Sequence, residues 1–112
     1  MMFKKYHIEY TYSSQSDVRR MRKYIIENFK YLEYAENFDK KILNALEKIE
    51  NAPLIYKPTE FYYRGYRIYM RCIDSHLFFY IVEKETIVLL RVLKDGMNWQ
   101  YIINLWLKKN NY

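Results

Sequence analysis

Three arginines and two tyrosines share one short segment, Arg64-Gly65-Tyr66-Arg67-Ile68-Tyr69-Met70-Arg71. Side chains on a strand alternate between its two faces, so Arg67, Tyr69 and Arg71 lie together on one of them. Burying an unpaired guanidinium costs free energy, and we therefore expect this face to border water or an anionic partner. Because arginine can hold a phosphate with two parallel hydrogen bonds, the segment predicts a phosphate-binding strand.

Another arginine, Arg91, lies inside an otherwise apolar strand pattern, Ile87-Val88-Leu89-Leu90-Arg91-Val92-Leu93. A cation in such a strand is costly unless it is paired or faces a cleft. The residues leave two explanations open. Arg91 forms an internal ion pair, for which Glu9 and Glu83 are candidate partners, or it lines a functional cleft that binds an anion.

Other common chemistries have no motif in this sequence. His7 and His76 are far apart, no Cys/His spacing is typical of zinc sites, and neither a P-loop nor a dinucleotide-binding glycine pattern occurs. We therefore expect no metal and no cofactor. Cys72, the single cysteine, falls on the apolar face of its strand, which predicts a buried and unreactive thiol.

Lys and Arg outnumber Asp and Glu by 19 to 13, which gives a net charge of +6. This excess favours an anionic partner, although solubility alone also explains it. The length of 112 residues and the hydrophobic share of 51% predict one folded domain over residues 1–112. Charges interrupt both the N-terminus and the apolar region 77–93, so we expect a cytoplasmic protein that does not enter a membrane.

Hydrophobic periodicity predicts an α+β fold in the order β-α-α-β-β-β-α. The N-terminal strand alternates from Tyr6 to Tyr12, and Ser13, Ser14 or Ser16 is expected to cap the first helix with Asp17 in its first turn. The remaining elements are a second helix that ends before Pro53, meander strands at 61–73, 76–83 and 86–93, and a short C-terminal helix at 98–107. We expect an antiparallel sheet with the helical hairpin packed on one face, and a bulge or a close backbone approach at Gly65.

The order and spacing of these elements resemble the RelE/ParE superfamily of toxins from type II toxin–antitoxin pairs. The resemblance spans nearly the whole chain. The segments that carry it are Ile8-Glu9-Tyr10-Thr11, Tyr34-Ala35-Glu36-Asn37-Phe38, Gly65-Tyr66-Arg67, Phe79-Tyr80-Ile81-Val82, and Val88 to Leu93 with Arg91 inside.

The resemblance implies a toxin that is held inactive by an acidic antitoxin encoded beside it. RelE-like members cut messenger RNA in the ribosomal A site, whereas ParE-like members inhibit DNA gyrase. The arginines favour the first activity, that of a metal-independent endoribonuclease. In that chemistry a base activates a ribose 2′-hydroxyl, cations stabilise the charge on the phosphate, and an acid protonates the leaving oxygen.

Residue roles follow from the same resemblance. Arg67 aligns with the arginine of the family's Tyr-Arg strand motif and is assigned to clamp the phosphate. Arg91 and Tyr101 complete the predicted catalytic set, with Tyr101 as a phenol on the last helix. The residues predicted to bind substrate are Lys57, Arg64, Tyr69, Arg71 and Lys94.

The chain departs from its relatives after the last strand. Lys94 and Asp95-Gly96 stand where many relatives have a histidine and paired arginines. This difference leaves gyrase inhibition by protein binding as an alternative to RNA cleavage. A weakened toxin and a plain basic binding module are further alternatives.

Overall fold

Tight turns join four successive strands of the sheet. In the computed structural model, which describes residues 6–55 and 57–110, the turns lie at Arg64-Gly65, Asp74-Ser75 and Lys84-Glu85. Both residues of the first two turns have positive φ, as does Lys84. These are the conformations that match the right-handed twist of a β-hairpin. The predicted turns at Asp74-Ser75 and Lys84-Glu85 are confirmed.

The chain forms five strands and three helices, one strand more than expected. In chain order the elements are β1 (His7–Tyr10), α1 (Tyr12–Asn28), α2 (Leu32–Asn51), β2 (Pro58–Tyr63), β3 (Tyr66–Ile73), β4 (His76–Glu83), β5 (Thr86–Lys94) and α3 (Trp99–Asn110). The single strand predicted at 61–73 is wrong, because Gly65 at φ 84° forms a turn rather than a bulge. The α+β class and the order of the other elements are confirmed.

The first helix starts earlier than predicted. Thr11 is its N-cap, since the Thr11 side chain accepts a hydrogen bond of 3.0 Å from the Ser14 backbone N–H. The cap ends β1 at Tyr10, two residues before the predicted end. Asp17 consequently lies beyond the first turn of α1, and the capping role predicted for Ser13, Ser14 or Ser16 is wrong.

The sheet is mixed rather than purely antiparallel. Its strand order is β1-β5-β4-β3-β2, and the meander strands β2 to β5 pair antiparallel as predicted. In contrast, β1 pairs parallel to β5. A parallel neighbour requires a crossover connection, and the α1–α2 hairpin begins that connection.

Helices cover both faces of the sheet. The α1–α2 hairpin packs on one face, hereafter the hairpin face, where Phe38 and Ile42 contact a cluster with Phe78 and Tyr80. On the opposite face, hereafter the α3 face, Trp106 belongs to a second cluster whose members include Phe79, Ile81 and Leu90. The predicted hairpin on one face is confirmed. None of the helices among the described residues is long and apolar enough to cross a membrane.

Cys72 is exposed, so the prediction of a buried thiol is wrong. Alternation along β3 does put Cys72 on the α3 face, next to Leu77 of β4, but Cys72 itself does not belong to the apolar cluster on that face. The Cys72 Sγ lies 3.9 Å from a carboxylate oxygen of Asp95. Partial burial, followed by this nearby negative charge, raises the pKa of the thiol.

Candidate functional site

Arg67 is held in place by the neighbouring edge strand. It pairs with Tyr62 across β2 and β3, and its guanidinium lies 5.1 Å from the centre of the Tyr62 ring. Its Nε donates a hydrogen bond of 2.7 Å to the Thr59 carbonyl, and its Nη1 donates one of 3.0 Å to the Tyr62 hydroxyl. The side chain nevertheless remains exposed. These contacts orient a positive charge at the surface, where an anionic group can reach it.

Tyr69 and Arg71, which were predicted to share a face with Arg67, make contacts within the fold. Tyr69 stacks on Tyr80 with ring centres 5.8 Å apart and packs against the cluster on the hairpin face. Arg71 donates a hydrogen bond of 3.0 Å from Nη1 to the Lys48 carbonyl in the last turn of α2. A cation at this end of a helix stabilises its orphan carbonyls. Of the three residues, Arg67 is exposed, whereas Tyr69 and Arg71 are half-buried.

The upstream cations predicted to bind substrate lie at separate positions on the β2–β3 hairpin. Lys57 is exposed and immediately precedes β2. Arg64 occupies the turn, and its guanidinium lies 5.0 Å from the centre of the Tyr63 ring. Since Tyr63 packs in the cluster on the α3 face, Arg64 lies against the face opposite that of Arg67.

Arg91 forms a buried ion pair with Asp17. Its Nε donates to Asp17 Oδ2 at 2.7 Å, and its Nη2 donates to Oδ1 at 2.9 Å. The Asp17 side chain is only 4% exposed and that of Arg91 14%. Of the two explanations that the sequence left open for Arg91, the structure therefore shows the internal ion pair. The partners proposed for it, Glu9 and Glu83, are wrong, because α1 brings Asp17 to this position.

The Asp17 carboxylate also accepts a backbone hydrogen bond from β5, at a position where β1 no longer pairs with that strand. Beyond Tyr10 the edge of β5 has lost its β1 neighbour, while a bulge at Leu90 shifts the pairing between β4 and β5. The Thr11 hydroxyl donates to the Leu90 carbonyl at 2.8 Å, and the Val92 N–H donates to Asp17 Oδ2 at 2.9 Å. Buried backbone groups need such partners, so Asp17 joins α1 to β5 as well as neutralising Arg91.

Tyr101 and Lys94 lie apart from Arg67. Tyr101 is exposed on α3, on the opposite side of the sheet from Arg67. Lys94 ends β5 and lines a surface groove with Arg20 and His76. Among residues 6–55 and 57–110, no hydrogen bond connects any two of Arg67, Arg91 and Tyr101. Arg67 on β3, Arg91 on β5 and Tyr101 on α3 therefore belong to three different elements of the fold.

Each of the two histidines contacts a neighbouring side chain. His7 is exposed and lies 3.7 Å from Glu9. His76 is half-buried against Phe38, with ring centres 5.7 Å apart. The part of the chain that the structure describes also contains no group of three His, Cys, Asp or Glu side chains suited to a metal ion.

We predict that protonation of His76 destabilises the fold. Burial, followed by the positive charges of Lys41 and Lys94, lowers its pKa below the usual 6.5, although Asp74 opposes this shift. The resulting stability is present above about pH 6.5, the usual pKa of an unfolded-chain histidine. It is lost as the pH falls through the lower pKa of the folded state.

Thermal unfolding between pH 5 and pH 7.5 tests this prediction. The difference in Tm between the two pH values should be smaller in His76→Gln than in the wild type. His7→Gln changes an exposed histidine and serves as the control, with the wild-type difference expected. An identical pH dependence in the wild type and His76→Gln would contradict the prediction.

Comparison with known proteins identifies the family of this chain. Residues 8–99 match the family model of the ParE toxin of the parDE type II toxin–antitoxin system. The chain belongs to this family. It is thus a type II toxin of the RelE/ParE superfamily, which confirms the resemblance in its sequence. No curated protein sequence matches it significantly.

Solved structures share the fold of this ParE-family chain at low sequence identity. A chain of the chromosomal ParDE toxin–antitoxin system from P. aeruginosa superposes with a TM-score of 0.66 at 11% identity, covering 82% of this chain and 98% of its own length. A chain of the toxin–antitoxin complex RelBE2 from Mycobacterium tuberculosis gives a TM-score of 0.54 at 18% identity. The match covers 80% of the present chain and 98% of the RelBE2 chain.

Proposed function

We propose that this toxin blocks growth by binding DNA gyrase and performs no chemistry of its own. The observation that carries the proposal is the dispersal of the predicted catalytic residues. Arg91 is bound by Asp17 in a buried pair, and Tyr101 lies across the sheet from Arg67. The match of residues 8–99 to the ParE model supports the same choice.

Metal-free cleavage of RNA requires several groups around one phosphate, and the separation of the predicted catalytic residues supports the choice of binding over chemistry. A base must reach the ribose 2′-hydroxyl while an acid reaches the leaving oxygen, each within hydrogen-bond distance. Cations must surround the phosphate between them. Arg67 is suited to the phosphate, but Arg91 already directs two of its donors to Asp17. Inhibition by binding needs only a complementary surface.

A supercoiling assay tests this function. Purified toxin should inhibit ATP-dependent supercoiling by gyrase, and prior mixing with the cognate antitoxin should restore it. Arg91→Lys, which keeps the positive charge beside Asp17, should inhibit as the wild type does, provided that it folds. Unchanged supercoiling in the presence of excess folded toxin would overturn the proposal.

Ribosome-dependent mRNA cleavage is the second candidate. The observation in its favour is the exposed guanidinium of Arg67, which the Thr59 carbonyl and Tyr62 orient on β3. On this interpretation Arg67 clamps the phosphate. A translation reaction in which the wild type cuts mRNA and Arg67→Ala does not would support it. Intact mRNA at doses that stop growth would exclude it.

We propose an acidic antitoxin as the cognate partner. The net charge of +6 on the toxin favours a partner of opposite charge. The similar structures named above belong to toxin–antitoxin systems, which also supports this assignment. Induction without the antitoxin should stop growth, and co-expression should restore it. Normal growth on induction alone would instead favour a weakened toxin or a plain binding module.

A further inference from the structure

The turn between α1 and α2 exposes an unusual amount of apolar surface. Phe29, Tyr31, Leu32 and Tyr34 are 46%, 64%, 64% and 47% exposed, and Tyr24 on the preceding turn of α1 is 62% exposed. The ring centres of Phe29 and Tyr34 are 5.2 Å apart, and those of Tyr31 and Tyr34 are 6.4 Å apart. Contiguous exposed apolar groups of this kind mark interaction surfaces more often than isolated ones do.

Two open grooves extend from this aromatic group along the hairpin. The first, of 560 Å³, has Tyr34 and Asn44 in its lining, and the second, of 590 Å³, reaches His76 and Lys94 at the end of the sheet. Both are lined by Ile25, Phe29 and Phe38, so they adjoin each other. Each is large enough to hold apolar side chains of an extended or helical segment.

The charged groups that line these grooves are basic. Lys40 and Lys41 line the first groove, and Arg20 and Lys94 line the second. Among the described residues, none of those that line either groove is acidic. Arg20 is bonded to Asp17, yet its side chain remains 71% exposed. An apolar floor with a basic rim is complementary to a segment that carries apolar side chains between carboxylates.

We propose that this surface, the hairpin tip with its two grooves, docks an acidic segment of the toxin's protein target. The inference rests on the proposed function and specifies the surface that would carry it out. The charge favours this occupant over a second copy of the chain, because two copies would bring their basic rims together. It also places target binding away from Arg67, on the turn between the two helices.

Two double variants test the surface. Tyr31→Ser with Leu32→Ser removes exposed apolar groups, and Lys40→Glu with Lys41→Glu reverses the charge of one groove. Each should raise the toxin concentration needed for half-inhibition of gyrase supercoiling at least tenfold. Matched controls are Leu43→Ser with Leu105→Ser, at exposures of 66% and 41%, and Lys108→Glu with Lys109→Glu at the end of α3. The controls should inhibit as the wild type does.

Circular dichroism and antitoxin binding, measured on the same preparations, separate the outcomes. Folded tip variants that lose inhibition but still bind antitoxin support the inference. Tip variants that inhibit like the wild type, or that lose only antitoxin binding, overturn it. Loss of inhibition in the control variants to the same extent also overturns it. A wild-type toxin that leaves supercoiling unchanged overturns the proposed function itself, which is a different result.

Discussion

Asp17→Ala is expected to lower the free energy of unfolding by about 3–5 kcal/mol, the usual cost of removing one partner of a buried ion pair. The substitution leaves Arg91 with an uncompensated charge and the Val92 N–H without its acceptor. Typical domains are stable by only about 5–15 kcal/mol, so the variant should be close to unfolding at 37 °C. Urea denaturation followed by circular dichroism measures the loss.

An exposed ion pair in the same protein provides the control. Arg22 Nε donates to both carboxylate oxygens of Asp39, at 3.0 and 3.2 Å, but the two side chains are 40% and 41% exposed. Asp39→Ala should therefore cost less than about 1 kcal/mol. The double variant Asp17→Ala with Arg91→Met should be more stable than Asp17→Ala alone. Equal stability would show that the unpaired charge is not the cause.

Sequence patterns were sufficient for most of the fold, because the relevant forces act over short distances along the chain. Alternation located the meander strands, and helical spacing located the hairpin. The missed turn at Arg64-Gly65 was also accessible in principle. A strand of thirteen residues, as predicted for 61–73, exceeds the usual range of about 3–10. Gly65 near its start was a sign of a hairpin, because glycine readily adopts the positive φ that a two-residue hairpin turn requires.

The candidate site was harder to predict, because its contacts join distant parts of the chain. Arg91 and Asp17 are separated by 74 positions. The pairing depends on the bulge at Leu90 and on the end of β1 at Tyr10, which together expose the edge of β5. Neither feature has a pattern in the sequence. Periodicity could therefore show that Arg91 needs a partner, but not which of several carboxylates approaches it.

Two phenylalanines should separate stability from inhibition. Phe79 is fully buried on the α3 face, with its ring centre 5.5 Å from that of Trp99 on α3. Phe79→Ala should cost about 3–5 kcal/mol, since it leaves a cavity where α3 packs. Phe29 is 46% exposed at the hairpin tip, so Phe29→Ala should change stability by less than about 1 kcal/mol.

For gyrase inhibition, the order of the two substitutions should be the opposite of their order for stability. Phe79→Ala, assayed at a temperature where circular dichroism shows it folded, should inhibit supercoiling as well as the wild type does. Phe29→Ala should remain stable and yet require at least tenfold more toxin for half-inhibition, because Phe29 lines both grooves of the tip. If folded Phe79→Ala loses inhibition while Phe29→Ala keeps it, the target instead contacts the side of the sheet that α3 covers.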